Sequence, residues 1–251
     1  MKTLIKKLLK KLSPKKNHLQ FDGPYETWEE AKKKSVGYSS TVVITKVESA
    51  IKNVLNGNFL YERDGVNFED LPQQNTLINK LKDLELEEKT ILDIGGGLGS
   101  LYVNYEDIFQ NLKQYLVLEQ EQFCSVGSRI ANEYDLKISY HEDIQNVPNF
   151  NISIISSSLQ YFEDWNGMVD KIISKSPDHI FIDRHPLTDE DTKIFIQLNT
   201  NFYSEQVTYP LHIINKSEFV NSFINYKVVD AWNSDFDPSY FKGFHLVKDD
   251  N

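Results

Sequence analysis

The sequence predicts an α/β fold built on a mostly parallel sheet of seven strands, with an antiparallel edge strand and a helical N-terminal cap. From residue 89 onward, short apolar runs alternate with longer helical segments. This alternation is typical of strand–helix–strand units, whose right-handed crossovers make the strands parallel. Two later apolar runs are separated by only a short connection, which favours their pairing as antiparallel strands at one edge of the sheet. The chain therefore divides into a leader (1–16), a cap (17–84) and a sheet domain (85–251).

Each strand of the predicted sheet is a short, mostly apolar run, as expected for strands buried on both faces. The five parallel strands are "TILDI" (90–94), "YLVLE" (115–119), "KISYH" (137–141), "ISIISS" (152–157) and "HIFID" (179–183). The antiparallel pair is "YKVVDAW" (226–232) and "GFHLVK" (243–248). Helices are predicted near 99–110, 121–134, 165–175 and 188–199, and in the cap at Trp28–Lys34 and Thr45–Asn56.

The leader, "MKTLIKKLLKKLSPKK" (1–16), differs in composition from the rest of the chain. It contains seven lysines and no acidic residue, and its leucines recur at helical spacing. It lacks the uninterrupted apolar segment and the small-residue cleavage site of a secretory signal. The pattern predicts either a helix lying in the plane of an anionic membrane surface or a helix that is flexible or packed against a partner. Both alternatives stay open.

Charge and cysteine content narrow the classes of function. The net charge is −10, and beyond the leader the chain has 20 basic against 37 acidic side chains. This acidic balance argues against nucleic acid as a partner, because such binding depends on neutralising phosphates. The single cysteine, Cys124, excludes an internal disulfide, fits a reducing cytoplasm and lacks the companion ligands of a zinc site. We expect a cytoplasmic protein without a metal, with or without peripheral contact at the inner membrane face.

A glycine-rich turn, "TILDIGGGLGSL" (90–101), follows the first predicted strand. Glycines this close together let a backbone approach a ligand. A nucleotide-phosphate loop would end in Gly-Lys-Ser/Thr, whereas Gly99 is followed by Ser100 and Leu101. A dinucleotide fingerprint is closer, but Ser100 replaces its third glycine, and Asp93 would place a negative charge near the pyrophosphate. Asp93 therefore favours a cationic ligand.

The pattern Asp-x-Gly-x-Gly-x-Gly, at Asp93, Gly95, Gly97 and Gly99, resembles the first motif of class I S-adenosylmethionine-dependent methyltransferases. The resemblance implies a Rossmann-like sheet domain and S-adenosylmethionine as cofactor. It also implies that the ammonium group of the methionine moiety lies near Asp93. The cofactor would then pass close to the backbone of the glycines, Gly96 included.

Other cofactor-binding candidates lie at the ends of the following strands. Glu119 closes the second strand, where a carboxylate can accept hydrogen bonds from two ribose hydroxyls, and NAD-binding folds share this acid. By the resemblance, Asp143 matches the position that commonly holds the adenine amino group. Arg63 is a candidate for binding the methionine carboxylate or an anionic sugar nucleotide, with a surface salt-bridge cluster as the alternative. The remaining cofactor-binding candidates are Gln120, Ile144, Ser157 and Ser158.

Several motifs in the same order resemble a narrower family of bacterial methyltransferases associated with surface-polysaccharide gene clusters. They are "YETWEEA" (25–31), "VGY" (36–38), "YERDGVNF" (61–68), "LDIGGGLGSLY" (92–102), "SSSLQYFEDW" (156–165) and "DRHP" (183–186). The family often has threonine where this chain has His185. This departure counts against an essential catalytic role for His185. Because the family's acceptors are mostly unassigned, the resemblance identifies the cofactor better than it identifies the acceptor.

The candidate catalytic residues follow the fourth and fifth predicted strands. A hydroxyl acceptor must lose its proton as it attacks the methyl group, so a nearby base helps. By the resemblance, the loop after the fourth strand faces the methyl group, which makes Gln160 and Tyr161 candidates to orient the acceptor. Asp183 and His185 are the candidate bases. An ion pair of Asp183 with Arg184 and a histidine merely packed in its loop are the alternatives.

Together these features predict an S-adenosylmethionine-dependent methyltransferase that O-methylates a sugar or related group in cell-surface polysaccharide biosynthesis. The expected partner is a small-molecule or glycan-precursor acceptor. An NAD(P)-dependent oxidoreductase or epimerase is the first alternative, but the chain has no Tyr-x-x-x-Lys pair. A non-catalytic membrane-associated scaffold with the same fold is the second.

Overall fold

The computed structural model describes residues 20–36, 41–199, 207–235 and 240–249. The leader and most of the "VGY" motif lie outside these residues. Within them the strands are β1 (Gln20–Tyr25), β2 (Tyr61–Arg63), β3 (Val66–Phe68), β4 (Thr90–Ile94), β5 (Gln114–Leu118), β6 (Ile138–His141), β7 (Ile152–Ser156), β8 (His179–Thr188), β9 (Lys193–Asn199), β10 (Val207–Asn215), β11 (Tyr226–Asn233) and β12 (Phe241–Lys248).

The α-helices of the described residues lie in the cap and between the strands. They are α1 (Trp28–Lys34), α2 (Thr41–Leu55), α3 (Thr76–Lys82), α4 (Ser100–Asn104), α5 (Glu106–Phe109), α6 (Glu121–Tyr134), α7 (Trp165–Ser174) and α8 (Lys216–Asn221). Single turns of 3₁₀-helix occur at Ile144–Asn146 and Leu159–Tyr161. In the described part of the chain, no helix is both long enough and apolar enough to span a bilayer.

The predicted seven-stranded sheet is confirmed. Its order is β6-β5-β4-β7-β8-β12-β11, and the first five of these strands are parallel. β12 is antiparallel to both of its neighbours, so it lies inside the sheet and β11 forms the edge. The order of the strands reverses between β4 and β7, because β5 and β6 lie on one side of β4 and β7 and β8 on the other, and such a switch point opens a crevice at the carboxyl ends of the two strands. In open α/β sheets, ligands bind at this position.

The helix predicted near 188–199 is wrong, because this segment contains β9. Ile194 and Ile196 are β-branched and flank Phe195, a composition that favours a strand. β9 pairs antiparallel with β10 on one side and with β1 on the other. β10 also forms a short parallel pair with the end of β8. We call β1, β9 and β10 the extension, since they lengthen the sheet to ten strands.

The cap is only partly helical, because it contributes β1 to the extension and contains the β2–β3 hairpin. Its longest helix, α2, packs Val47 and Ile51 into the same apolar cluster as Ile91 of β4. On the opposite face of the sheet, Leu92 packs with Val169 of α7. Adjacent residues of β4 thus serve two cores, as the alternation of side chains along a strand requires. The cap is thereby anchored beside the carboxyl edge of the sheet.

Candidate active site

The glycine-rich turn between β4 and α4 is a left-handed loop at the centre of the carboxyl edge. Gly95, Gly97 and Gly99 have φ values of +72°, +59° and +82°, which L side chains rarely adopt. The Gly95 N–H donates to the carbonyl of Leu118 over 2.9 Å and so ties the loop to the end of β5. A Cβ atom on Gly97 would have no atom of the described residues within 4 Å. The loop backbone at Gly97 therefore borders open space.

Asp93 supports this loop from beneath. Its side chain is only 4% exposed, and the Tyr115 hydroxyl donates to its Oδ2 atom over 2.8 Å. A Cβ atom on Gly96 would lie 2.5 Å from the same oxygen, so the backbone passes directly over the carboxyl group. Burial raises the pKa of Asp93 to about 6, against the opposing effect of the Tyr115 hydrogen bond. Its contact with a ligand's ammonium group stays a prediction.

Glu119 lies just beyond β5 and beside the loop. Burial raises its pKa to about 7, although hydrogen bonds from the N–H groups of Gln120 and Gly97 oppose the rise. The Gln120 N–H lies 2.6 Å from its Oε2 atom. The carboxyl group of Glu119 therefore lies near Gly97, where the loop borders open space. This is the position that the sequence predicts for binding ribose hydroxyls.

Asp143 and Ile144 lie at the next strand end, beyond β6. Asp143 is exposed, and its Oδ1 atom caps the 3₁₀ turn by accepting from the Gln145 N–H over 3.0 Å. The Ile144 side chain is buried in the core beneath the turn. Of these two residues, only Asp143 has an exposed polar side chain, and binding of a ligand by either stays a prediction.

The turn after β7 packs against the glycine loop. The Ser158 hydroxyl donates to the carbonyl of Ile94 over 2.5 Å, and a Cβ atom on Gly95 would lie 2.4 Å from the Ser158 Cβ. Gln160 donates to the Ser157 hydroxyl over 3.1 Å and so holds the turn together. The structure therefore brings Ser157 and Ser158 to the glycine loop, and their contact with a cofactor stays a prediction.

His185 is fully buried and both of its ring nitrogens are occupied. Nε2 accepts from the Leu159 N–H over 3.2 Å, and Nδ1 lies 3.0 Å from the carbonyl of Asp183, to which it donates in the matching tautomer. The ring also stacks on Phe219. Burial lowers its pKa to about 3. These contacts leave no ring nitrogen for an acceptor's proton, so the geometry opposes the predicted base role.

Asp183 is mostly buried at the carboxyl end of the β7–β8 pair. Its Oδ1 atom accepts from the indole N–H of Trp232 over 2.8 Å. Trp232 belongs to β11, so the sheet edge helps to orient the carboxylate. The structure thus keeps Asp183 next to Ser157, whose N–H donates to the Asp183 carbonyl over 2.8 Å.

Arg63 lies in the β2–β3 hairpin, near the turn after β7. Its Nε atom is 3.6 Å from Asp64 Oδ2. Burial raises the pKa of Tyr61, and the positive charges of Arg63 and Arg184 oppose the rise. Burial likewise raises the pKa of Tyr161, which lies within electrostatic reach of Asp64 and Arg184. The hairpin therefore lies opposite the loops that follow β7 and β8.

Glu62, in the same hairpin, is a buried carboxyl group that the sequence did not single out. It is 1% exposed, and the Gly65 N–H donates to its Oε1 atom over 2.7 Å. Its backbone N–H and carbonyl pair with the Asn104 side chain at 2.9 and 2.8 Å. Burial raises its pKa to about 7, against hydrogen bonds from Ser100 and Gly65. These bonds fasten the hairpin to α4, directly after the glycine loop.

The sequence did not single out Gln197, Asn199 and Tyr209, because these residues belong to the extension. They are joined to Tyr161, which the sequence did predict as a candidate. Tyr161 donates to Gln197 Oε1 over 3.0 Å. The Gln197 amide in turn donates to Asn199 Oδ1 and to the Tyr209 hydroxyl, both over 3.1 Å. The signal available in the sequence was the pair of polar residues two apart, Gln197 and Asn199, within an otherwise apolar strand.

Comparison with known proteins identifies the fold. No protein-family model matches the chain, and no curated protein matches it significantly. Among solved structures, an S-adenosylmethionine-dependent methyltransferase from Clostridium acetobutylicum superposes with a TM-score of 0.51 at 11% identity, covering 69% of this chain and 89% of the other. The 1,6-didemethyltoxoflavin-N1-methyltransferase of Burkholderia thailandensis, solved with 1,6-didemethyltoxoflavin and S-adenosylhomocysteine, gives 0.50 at 10%, covering 95% and 99%. The chain therefore has the Rossmann-like fold of S-adenosylmethionine-dependent methyltransferases.

Proposed function

We propose that the chain is an S-adenosylmethionine-dependent methyltransferase that O-methylates a sugar or related group in cell-surface polysaccharide biosynthesis. The observation that carries the proposal is the loop at Gly97. There a left-handed backbone borders open space, and the nearby Gly97 N–H acts on the Glu119 carboxyl group. A side chain at this position would fill that space, and a carboxylate stands beside it at the predicted ribose position. The residues present therefore fit the proposed cofactor.

The proposed cofactor-binding residues surround the carboxyl ends of β4, β5 and β6. Glu119 binds the ribose hydroxyls, and Asp143 binds the adenine amino group. Asp93 supports the glycine loop and contributes negative charge for the ammonium group, while Arg63 binds the methionine carboxylate from the cap. When bound, S-adenosylmethionine supplies a methyl group on a sulfonium, which is the electrophile of the reaction. Gln120 and the serines after β7 complete this set.

The proposed catalytic residues position the acceptor and accept its proton. Gln160 and Tyr161 orient the attacking hydroxyl, which can contribute several kcal/mol by alignment alone. Asp183, held by the indole of Trp232, is the proposed proton acceptor. His185 holds Leu159 and the Asp183 backbone in place without taking part in proton transfer.

Two matched glycine substitutions test cofactor binding by calorimetry with S-adenosylhomocysteine. Gly57 and Gly97 both have a positive φ, and a Cβ atom on either would meet no described residue within 4 Å. Gly57→Ala and Gly97→Ala should therefore lose similar stability, about 1 kcal/mol from backbone strain. Of this pair, we expect only Gly97→Ala to lose micromolar binding of S-adenosylhomocysteine. A third variant, Glu119→Ala, should lose it as well. Binding of NAD(H) instead of S-adenosylhomocysteine by the wild-type chain would refute the proposal.

The polysaccharide context is supported by the motif resemblance and by the basic leader, which suits contact with an anionic membrane surface where such glycans are assembled. We therefore propose a cytoplasmic enzyme that contacts the inner membrane face through residues 1–16. Transfer of a labelled methyl group from S-adenosylmethionine into capsule or lipopolysaccharide fractions tests this context. Label confined to small soluble metabolites, or to protein, would contradict it.

A further inference from the structure

The extension brings uncharged polar side chains to the turn that follows β7. Tyr161 lies within one 3₁₀ turn of Ser158, which is itself bonded to the carbonyl of Ile94 at the glycine loop. β9 and β10 approach this turn from the far side, and Gln197 of β9 accepts the Tyr161 hydrogen bond. A continuous polar wall therefore runs from the glycine loop to the extension.

We call Gln160, Tyr161, Gln197, Asn199 and Tyr209 the amide–phenol cluster. Gln197 and Tyr209 are directly opposed in the β9–β10 register, and Asn199 follows Gln197 on the same face of β9. The rings of Tyr161 and Tyr209 meet edge to face, with their centroids 4.9 Å apart. Tyr161, Gln197, Asn199 and Tyr209 thus form a connected network from three separate segments, and Gln160 adjoins it as the neighbour of Tyr161 in the chain.

Two buried polar atoms of the cluster have no hydrogen-bond partner among the described residues. Gln160 is 1% exposed and Asn199 is 6% exposed. Among the described residues, Gln160 Oε1 and Asn199 Nδ2 have no hydrogen-bond partner. Buried polar groups are nearly always paired, and an unpaired one costs free energy. One acceptor and one donor of the cluster are therefore buried without a partner among the described residues.

The chemistry of the cluster matches hydroxyl groups. A hydroxyl can donate to the Gln160 carbonyl and accept from the Asn199 amide, whereas an ionised phosphate or carboxylate only accepts and would leave Gln160 Oε1 unpaired. The cluster has no carboxylate, ammonium or guanidinium group of its own. Asp64 and Arg184 act on Tyr161 from outside the cluster with opposite charges.

We propose that the amide–phenol cluster is the acceptor-binding wall and that it selects an uncharged, hydroxyl-bearing ring such as a neutral pyranose. The proposal rests on methyl transfer as the proposed function. The extension then has a defined purpose: it carries Gln197, Asn199 and Tyr209 to the turn that follows β7.

Saturation-transfer NMR on the protein bound to S-adenosylhomocysteine tests the proposal. The probes are uncharged methyl pyranosides of the gluco, galacto, manno and rhamno series, with glucuronate and glucose 6-phosphate as charged counterparts. We expect at least one methyl pyranoside to bind in preference to the charged sugars. Gln160→Leu and Asn199→Leu should each weaken this binding about tenfold or more, because each removes the partner of a ligand hydroxyl.

Gln114→Leu is the matched control, since it removes a half-buried amide at the opposite, amino-terminal end of β5. It should leave pyranoside binding unchanged. Calorimetry with S-adenosylhomocysteine shows that each variant is folded and reports separately on the proposed function. If S-adenosylhomocysteine binds but no methyl pyranoside does, or if binding survives both cluster variants, the cluster is only a structural network and the inference is overturned. If S-adenosylhomocysteine itself fails to bind, the proposed function fails first.

Discussion

At the scale of single residues, chemical type alone is a poor guide to role. His185 follows a strand at the carboxyl edge and has the side chain most often used as a base. Its burial and its two backbone partners instead make it a structural link between the turn after β7 and β8. Nothing local in "DRHP" distinguishes these roles, because they depend on Leu159 and Phe219, which are distant in sequence.

Replacing His185 with leucine should destabilise the protein. The substitution leaves the Leu159 N–H and the Asp183 carbonyl buried without a partner, at about 1–3 kcal/mol for each group. We expect the free energy of unfolding in urea to fall by about 2–5 kcal/mol. His141→Leu is the control and should cost less, because His141 Nε2 has no partner in the described part of the chain. Unchanged stability with lost activity would restore the base role to His185.

Glu62 should make stability depend on pH. Its pKa is about 7 in the folded state against an ordinary value of 4.5, so the folded state binds the proton more tightly. Its stabilising contribution is complete below about pH 4.5 and is lost as the pH rises through 7. Glu62→Gln imitates the protonated form and should gain up to about 3 kcal/mol over wild type between pH 5 and pH 8.

Thermal unfolding across this pH range measures the effect, with the exposed Glu106→Gln as control. A difference between Glu62→Gln and wild type that stays constant from pH 5 to pH 8 would show that Glu62 is ionised in both states. Asp93 and Glu119 also have raised pKa values, so the Glu62→Gln variant should retain part of the pH dependence of the wild-type chain.

At the scale of elements, the sequence predicts what is locally encoded. The five parallel strands are buried on both faces, so each appears as a continuous apolar run. The glycine loop and Glu119 were found for the same reason, since a strand end and its turn are adjacent in sequence. β9 was mistaken for a crossover helix, and with it Gln197 and Asn199 were lost. Their contact with Tyr161 depends on the β9–β10 register, which no local pattern contains.

The β11–β12 pair offers a test of how the sheet edge acts on the site. A Cβ atom on Gly243 of β12 would lie 2.2 Å from the indole of Trp232, which bonds Asp183. Gly243→Ala should therefore displace the indole, lower the free energy of unfolding by about 1–3 kcal/mol and reduce methyl transfer. Binding of S-adenosylhomocysteine should persist, because the glycine loop is untouched.

Gly57→Ala is the control for Gly243→Ala, since it adds a methyl group in open space. Activity and stability are compared by methyl transfer and by urea unfolding. Full activity in Gly243→Ala, together with unchanged stability, would show that the indole is not needed to orient Asp183.

At the scale of the whole molecule, charge is distributed unevenly along the chain. The leader contains seven lysines and no acidic residue, whereas the remainder contains all 37 acidic side chains. Deleting residues 1–16 should abolish sedimentation with anionic liposomes, because basic residues near such a surface contribute about 1 kcal/mol each. Uncharged phosphatidylcholine liposomes and high salt are the controls, and neither should support binding by the intact chain. Undiminished sedimentation of the shortened chain would remove the leader from the proposal.

The position of β12 inside the sheet has a consequence for synthesis of the protein. β8 leaves the ribosome with one long edge lacking its partner, because Phe241, which pairs with Pro186, follows about 55 residues later. At 5–20 residues per second, this delay lasts roughly 3–10 s. An open strand edge is a template for pairing with other chains. The nascent chain therefore passes through a period of several seconds in which the edge of β8 that will later pair with β12 is open to pairing with other chains.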